Sequence, residues 1–119
     1  MHRSVLVVDD DAAFRALATR TLTAWGHLVV GEAATFAEAV VRSDELRPDA
    51  VLLDVGLPDG DGFALAQQLA ALPWRPRVVL ISSDSDVANV AVARRMGAAG
   101  FVPKDELPGS SLRNLLAGA

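Results

Sequence analysis

Asp9, Asp10 and Asp11 follow directly on the apolar run Val5 to Val8, Asp54 follows Val51 to Leu53, Ser82 and Ser83 follow Val78 to Ile81, and Lys104 comes just after Phe101-Val102. Adjacent anions repel one another, the more so as water is excluded. A run of three therefore needs a nearby cation, a helix N-terminus or open water. Lys104 narrows the chemistry, because it is the single lysine in a chain with ten arginines. A compact ammonium on a flexible stem makes a point contact to a phosphoryl oxygen that a planar guanidinium would crowd. Each residue alone is ordinary at a strand end, since loops are polar and Asp caps helices. Their recurrence at the end of successive runs sets them apart.

The elements that must position them are legible from the apolar runs. Val5 to Val8, Leu28 to Val30, Ala50 to Leu53, Val78 to Ile81 and Phe101-Val102 each predict a short buried strand. Between them lie helical stripes. Phe14, Leu17, Ala18, Thr21 and Trp25 close on Gly26 as a left-handed cap. Thr35 and Glu38 form a capping box before Phe36, Ala39, Val40 and Leu46, and Pro48 follows. A third helix is expected from about Asp61 to Leu72 with Leu65, Leu69 and Leu72 on one side, and a fourth from about Asp86 to Met96 with Val87, Val90 and Ala91 inward and Gly97 closing it. The last, from Ser110 to Leu116, is marginal alone. Five β-α units with strands apolar on both faces predict a doubly wound parallel sheet covered on both sides. In such sheets ligands sit at the carboxyl ends of the strands.

At 119 residues the whole chain, 1–119, fits one domain. Cysteine is absent, which removes disulfides, thiolate metal sites and Cys nucleophiles. The run after Met1-His2-Arg3 is too short for a signal peptide or a membrane span, so a cytoplasmic protein is expected. A net charge of -4 gives no electrostatic footprint for nucleic acid. A calcium-loop reading of Asp59-Gly60-Asp61-Gly62 fails, because Phe63 stands where an oxygen ligand belongs and no Glu closes the loop. Asp59 and Asp61 read instead as turn and helix-cap residues.

The segments VLVVDDD, VLLDVGLPDGDGF, VVLISSD and GAAGFVPKDEL, in this order, resemble a response-regulator receiver domain, the phospho-acceptor module of two-component signalling. The resemblance covers nearly the whole chain and implies a flavodoxin-like sheet of order 2-1-3-4-5. By the matching motifs Asp9 and Asp10 are similar to the family's acidic pair, Asp54 to its phosphorylated aspartate, Ser82 to its switch hydroxyl, Phe101 to its switch aromatic and Lys104 to its invariant lysine. It further implies Mg2+, or Mn2+, held by Asp9, Asp10, Asp54 and the backbone carbonyl of Gly56. The implied donor is a phosphohistidine on a sensor histidine kinase, with specificity on the surface around helix one. The implied output is a partner protein or domain reading the helix four, strand five and helix five face, where Arg94, Arg95 and Arg113 are candidates, though an ordinary solvated helix face accounts for them as well. A phosphorylation-dependent homodimer fits the same pattern. No enzymatic activity is expected beyond self-phosphorylation and autodephosphorylation.

Three departures bear on this reading. Asp105 follows Lys104 where many receivers have proline, and a non-proline cis bond costs about 3 kcal/mol, so a different loop geometry is expected. Phe101 replaces tyrosine and Ser82 replaces threonine. Gly56 and Asp84 occupy positions that tune phosphate lifetime in the family, and a bare Gly56 leaves room for water and faster hydrolysis. PKDEL resembles receivers that precede a helix-turn-helix output domain, so the chain is either such a receiver or a stand-alone one. Competing readings are an unphosphorylated pseudo-receiver, a haloacid-dehalogenase-like phosphatase using Asp9 of the D-x-D Asp9-Asp11, and a flavodoxin. Ala13 stands against the phosphatase, the intact five-residue site against the pseudo-receiver, and the lack of a Ser/Thr-rich phosphate loop against the flavodoxin.

Overall fold

The structure, a computed structural model, describes residues 3–83, 88–107 and 109–117. Strands β1 (Ser4–Val8), β2 (Leu28–Ala33), β3 (Ala50–Asp54), β4 (Arg77–Ser82) and β5 (Gly100–Pro103) alternate with helices α1 (Ala12–Ala24), α2 (Phe36–Leu46), α3 (Gly62–Ala70), α4 (Ala88–Arg95) and α5 (Ser110–Ala117). The strands form one parallel sheet in the order β2-β1-β3-β4-β5, the doubly wound topology expected. A two-residue antiparallel ladder, Gly56–Leu57 with Gly60–Asp61, links β3 to α3, and a 3-10 turn, Lys104–Glu106, follows β5.

Alternation along the central strands sorts two cores. Val5, Val7, Leu52, Val79 and Ile81 face α1 and α5 through Phe14, Leu22, Leu112 and Leu116. Leu6, Val8, Val51, Leu53 and Leu80 face the other helices through Ala39, Leu65, Leu69 and Ala93. Leu52 and Leu80 are both 0% exposed, so truncating either to Ala costs about 2–5 kcal/mol. This two-sided apolar packing fixes the register of the central strands, and with it the positions of the polar residues at their carboxyl ends.

Four helix and strand expectations shift. β2 lies at the edge, as the order 2-1-3-4-5 implies, but it is not the buried strand expected, since Leu28 is 60% exposed. Leu17 is exposed on the rim of α1, whose buried stripe runs through Phe14, Ala18, Thr21 and Leu22. Helix α3 ends at Ala70, and Leu72 lies in the turn beyond it. On α4 Ala93 is buried while Ala91 is exposed, and the expected start at Asp86-Val87 lies outside the described residues. Gly26 and Gly97 do close α1 and α4, at φ +88 and +84, where a β-carbon is strained.

Candidate functional site

β1 delivers Asp9 to the carboxyl edge fully buried, with its N–H donating to Ala33 O at 3.0 Å. Its Oδ1 accepts from the Asp11 N–H at 2.9 Å, and its Oδ2 lies 2.6 Å from Lys104 Nζ. Asp54, the last residue of β3, is 5% exposed; its Oδ1 accepts from the Gly56 N–H at 3.2 Å and its Oδ2 lies 3.3 Å from the same ammonium. Lys104 thus bridges the two carboxylates, and its Nζ also sits 4.6 Å above the Phe14 ring. Asp10 is exposed beside them, and carboxylate oxygens of Asp9, Asp10 and Asp54 lie within 4.8 Å of one another.

The electrostatics of this cluster are unbalanced. Burial pushes the Asp9 carboxyl above the usual aspartate value, and the Lys104 ammonium and the Asp11 N–H only partly oppose it. For Lys104 burial acts downward, yet the Asp9 contact and the charges of Asp54 and Asp9 outweigh it and hold the ammonium above its usual value. One ammonium faces three carboxylates, meeting Asp9 Oδ2 at 2.6 Å and Asp54 Oδ2 at 3.3 Å. Hard oxygen donors converging with excess negative charge, one of them solvent-facing, suit a small divalent cation that keeps part of its water shell. The residues therefore fit Mg2+ or Mn2+, with Asp9, Asp10 and Asp54 as the donor side chains.

The third aspartate of the run has a different role. Asp11 caps α1, its Oδ1 accepting from the N–H groups of Ala13 at 2.9 Å and Phe14 at 3.4 Å. Asp61 caps α3 in the same way through Phe63 N–H at 2.9 Å. Asp59 does what no local pattern shows: it caps α2 from 22–23 residues away, taking the N–H groups of Phe36 at 2.6 Å and Ala37 at 3.1 Å. The Phe36 N–H, followed by that of Ala37, holds the Asp59 carboxyl below the usual range. Within the capping box Thr35 Oγ1 accepts from Glu38 N–H as expected, but Glu38 reaches back to Ala34 N–H. Arg15 completes the acidic loop, donating from Nη1 to Asp9 O at 2.6 Å and from Nε to Glu32 at 2.9 Å.

The acceptor loop is seated by a close approach of α3. Gly62 N–H donates to Val55 O at 3.1 Å, and a β-carbon on Gly62 would lie 2.4 Å from Val55 Cα and 2.6 Å from Asp54 O. Gly56 differs, since a β-carbon there would meet only Asp54 Oδ1 at an ordinary 3.9 Å. Ser82 ends β4, buried, one residue past the partner of Asp54 in the ladder, and pairs with Pro103. Phe101 is half-buried against the α2–α4 side of the core. Arg94 and Arg95 are exposed on α4, whereas the Arg113 guanidinium lies 5.8 Å over the Trp25 ring and so turns toward α1. Asp84 lies outside the described residues.

The D-x-D reading loses its geometry here. The second carboxylate of the pair, Asp11, is committed to the amides of Ala13 and Phe14 as the cap of α1.

A family model described as "Response regulator receiver domain" matches residues 5–116. The chain is 32% identical over 108 residues to the chemotaxis protein CheY of Thermotoga maritima, covering 91% of this chain and 90% of that one. It is 42% identical over 103 residues to the DNA-binding transcriptional activator DevR/DosR of Mycobacterium tuberculosis, covering 85% of this chain but only 47% of the activator. The signal receiver domain of a NarL response regulator from Mycobacterium tuberculosis superimposes with a TM-score of 0.88 at 34% identity, over 99% of this chain and 98% of that one.

Proposed function

Because the chain belongs to the response regulator receiver domain family, we propose that it is a phosphorylation-dependent switch in which Asp54 accepts a phosphoryl group from a phosphohistidine on a sensor histidine kinase. The observation that carries this is the Lys104 ammonium set between Asp9 Oδ2 and Asp54 Oδ2, at 2.6 and 3.3 Å, where three carboxylates converge. An Asp54 oxygen attacks phosphorus, the P–N bond breaks, and the histidine nitrogen keeps the electron pair. The difficulty is bringing one anion against another. Bound Mg2+ supplies neutralising charge for the carboxylate and the incoming phosphoryl oxygens. Asp9, Asp10 and Asp54 would hold the cation, Lys104 moves its Asp54 contact onto a phosphoryl oxygen, and the Gly56 N–H keeps the unreacted Asp54 oxygen in place.

Ser82 then turns toward the phosphoryl group, and Phe101 moves into the space behind it. This biases α4, β5 and α5 between two packings that an output partner distinguishes. The kinase docks around α1, where Leu17, Arg20, Thr21, Ala24 and Trp25 line a shallow groove. As a receiver domain the chain carries no further enzymatic activity and acts in the cytoplasm.

Intact mass after exposure to acetyl phosphate and Mg2+ tests the reading. One phosphoryl group gained by the wild type and none by Asp54→Ala is the expected result. Label retained by Asp54→Ala but lost in Asp9→Ala supports the phosphatase reading instead, and no label on any form supports the pseudo-receiver.

A further inference from the structure

At the amino edge of the sheet, opposite the aspartates, a pocket of about 370 Å³ is lined by Arg3, Arg75 and Arg77 over a floor of small apolar residues that includes Ala70, Val78 and Ala99. Three of the chain's arginines therefore line one pocket in a protein of net charge -4. Two of them are anchored. The Nε of Arg3 donates to Leu116 O at 2.5 Å and that of Arg77 donates to Leu115 O, both carbonyls of the last turn of α5. Each anchor uses one of a guanidinium's five N–H donors. Arg75 caps nothing: it is exposed, on a left-handed backbone at φ +48 that side chains other than Gly rarely adopt.

Among the described residues no carboxylate forms an ion pair with any of these arginines. Asp49, at the same edge, directs its Oδ2 to Ser4 N–H. Guanidinium forks match the oxygens of a phosphoryl group two at a time, and the volume is within the range of pockets that take small ligands.

We propose that this pocket binds a small anion carrying at least two phosphoryl groups, of the size of a nucleoside diphosphate. Because Arg3 and Arg77 also hold the end of α5, occupancy is coupled to how firmly that helix is seated. The pocket is separate from the aspartate cluster, so the proposal stands or falls independently of phosphorylation.

The test is a titration of the full chain with sodium pyrophosphate and with ADP, in metal-free buffer at constant ionic strength, followed by amide 1H–15N spectra. The expected result is saturable movement of the Arg75, Gly97 and Ala99 amides and of the end of α5, with the amides of Asp9 to Asp11 unmoved. Arg75→Gln, which alters an exposed side chain, weakens binding on the order of tenfold. Pyrophosphate binding as well as ADP shows that the phosphoryl groups suffice, and tighter ADP binding shows that the apolar floor is used; both support the proposal. Sulfate moving the same amides equally, Arg75→Gln titrating like the wild type, or no response to either probe overturns it. A poly-glutamate peptide that moves these amides when pyrophosphate and ADP do not also overturns it, assigning the pocket to an acidic protein segment.

Discussion

At the carboxyl edge of the sheet Asp9, Asp10 and Asp54 surround one ammonium, whereas at the amino edge Arg3 and Arg77 turn onto the carbonyls that end α5. The contrast follows partly from topology. With every strand parallel, helices begin at the carboxyl edge and end at the amino edge, so free N–H groups gather at one side and free carbonyls at the other. Asp11, Asp59 and Asp61 answer the first set, Arg3 and Arg77 the second. What helix ends do not explain is the remainder: Asp9, Asp10, Asp54 and Lys104 at one edge, Arg75 at the other. Separating side chains that complete the fold from side chains left over is what locates a site.

The strongest way to break that separation is Lys104→Ala. Removing the cation paired with the buried Asp9 carboxylate is expected to cost about 3 kcal/mol at pH 7 and less in acid, where pH falls through the raised folded value and Asp9 takes up a proton. Labelling by acetyl phosphate should fall on the order of a hundredfold. Urea melts at neutral and acid pH and the labelling rate check both. If Lys104 only completed the fold, its loss would leave the labelling rate of the surviving folded protein unchanged.

Asp9→Asn should act with the opposite sign on stability. Since the folded-state pKa of Asp9 is raised, the native protein holds its proton above pH 3.8 when the unfolded chain has released it. Stability therefore falls as pH rises from 3.8 through the folded value. The neutral amide removes that loss and stabilises the metal-free protein at pH 7, while weakening Mg2+ binding at least about tenfold. Melting temperature with and without Mg2+ reads both: the variant should melt higher without the metal and gain little from it.

A capping carboxylate should behave differently again. Asp59→Ala is expected to lower the melting temperature at neutral pH, leaving Mg2+ affinity unchanged. Because the Asp59 pKa is lowered, its contribution is present above pH 3.8 and is lost in the wild type as pH falls through the folded value, so the two proteins should converge in acid. The smallest effect is expected from Gly56→Ala, which fits without strain and screens Asp54 from water, lengthening the phosphoform half-life roughly two- to threefold. Loss of label over time measures it.

The legible part of this fold is the part written in short repeats. β1, β3 and β4 are apolar on both faces and cannot be mistaken, and once they are parallel Asp9, Asp54, Ser82 and Lys104 must share an edge. The rest depends on partners distant in sequence. Asp59 looks like a turn residue until the chain brings the start of α2 over it, and Arg15 looks like a solvated helix residue until it meets Asp9 O. Leu17 fits the α1 stripe by spacing, yet the packing stripe is narrower than the pattern and leaves it outside. The arginine pocket was equally hidden, because Arg3, Arg75 and Arg77 are three unremarkable residues until β1 and β4 lie at one edge of the sheet.

The close seat of Gly62 on Val55 and Asp54 has a counterpart in how this domain can be diversified. In a library randomised across the acceptor loop, position 62 should survive as glycine alone, since backbone atoms rather than a movable side chain block a β-carbon. Position 56, six residues earlier, should accept many side chains. Variation aimed at how long a signal lasts thus has a place to act that leaves the geometry of the acceptor untouched.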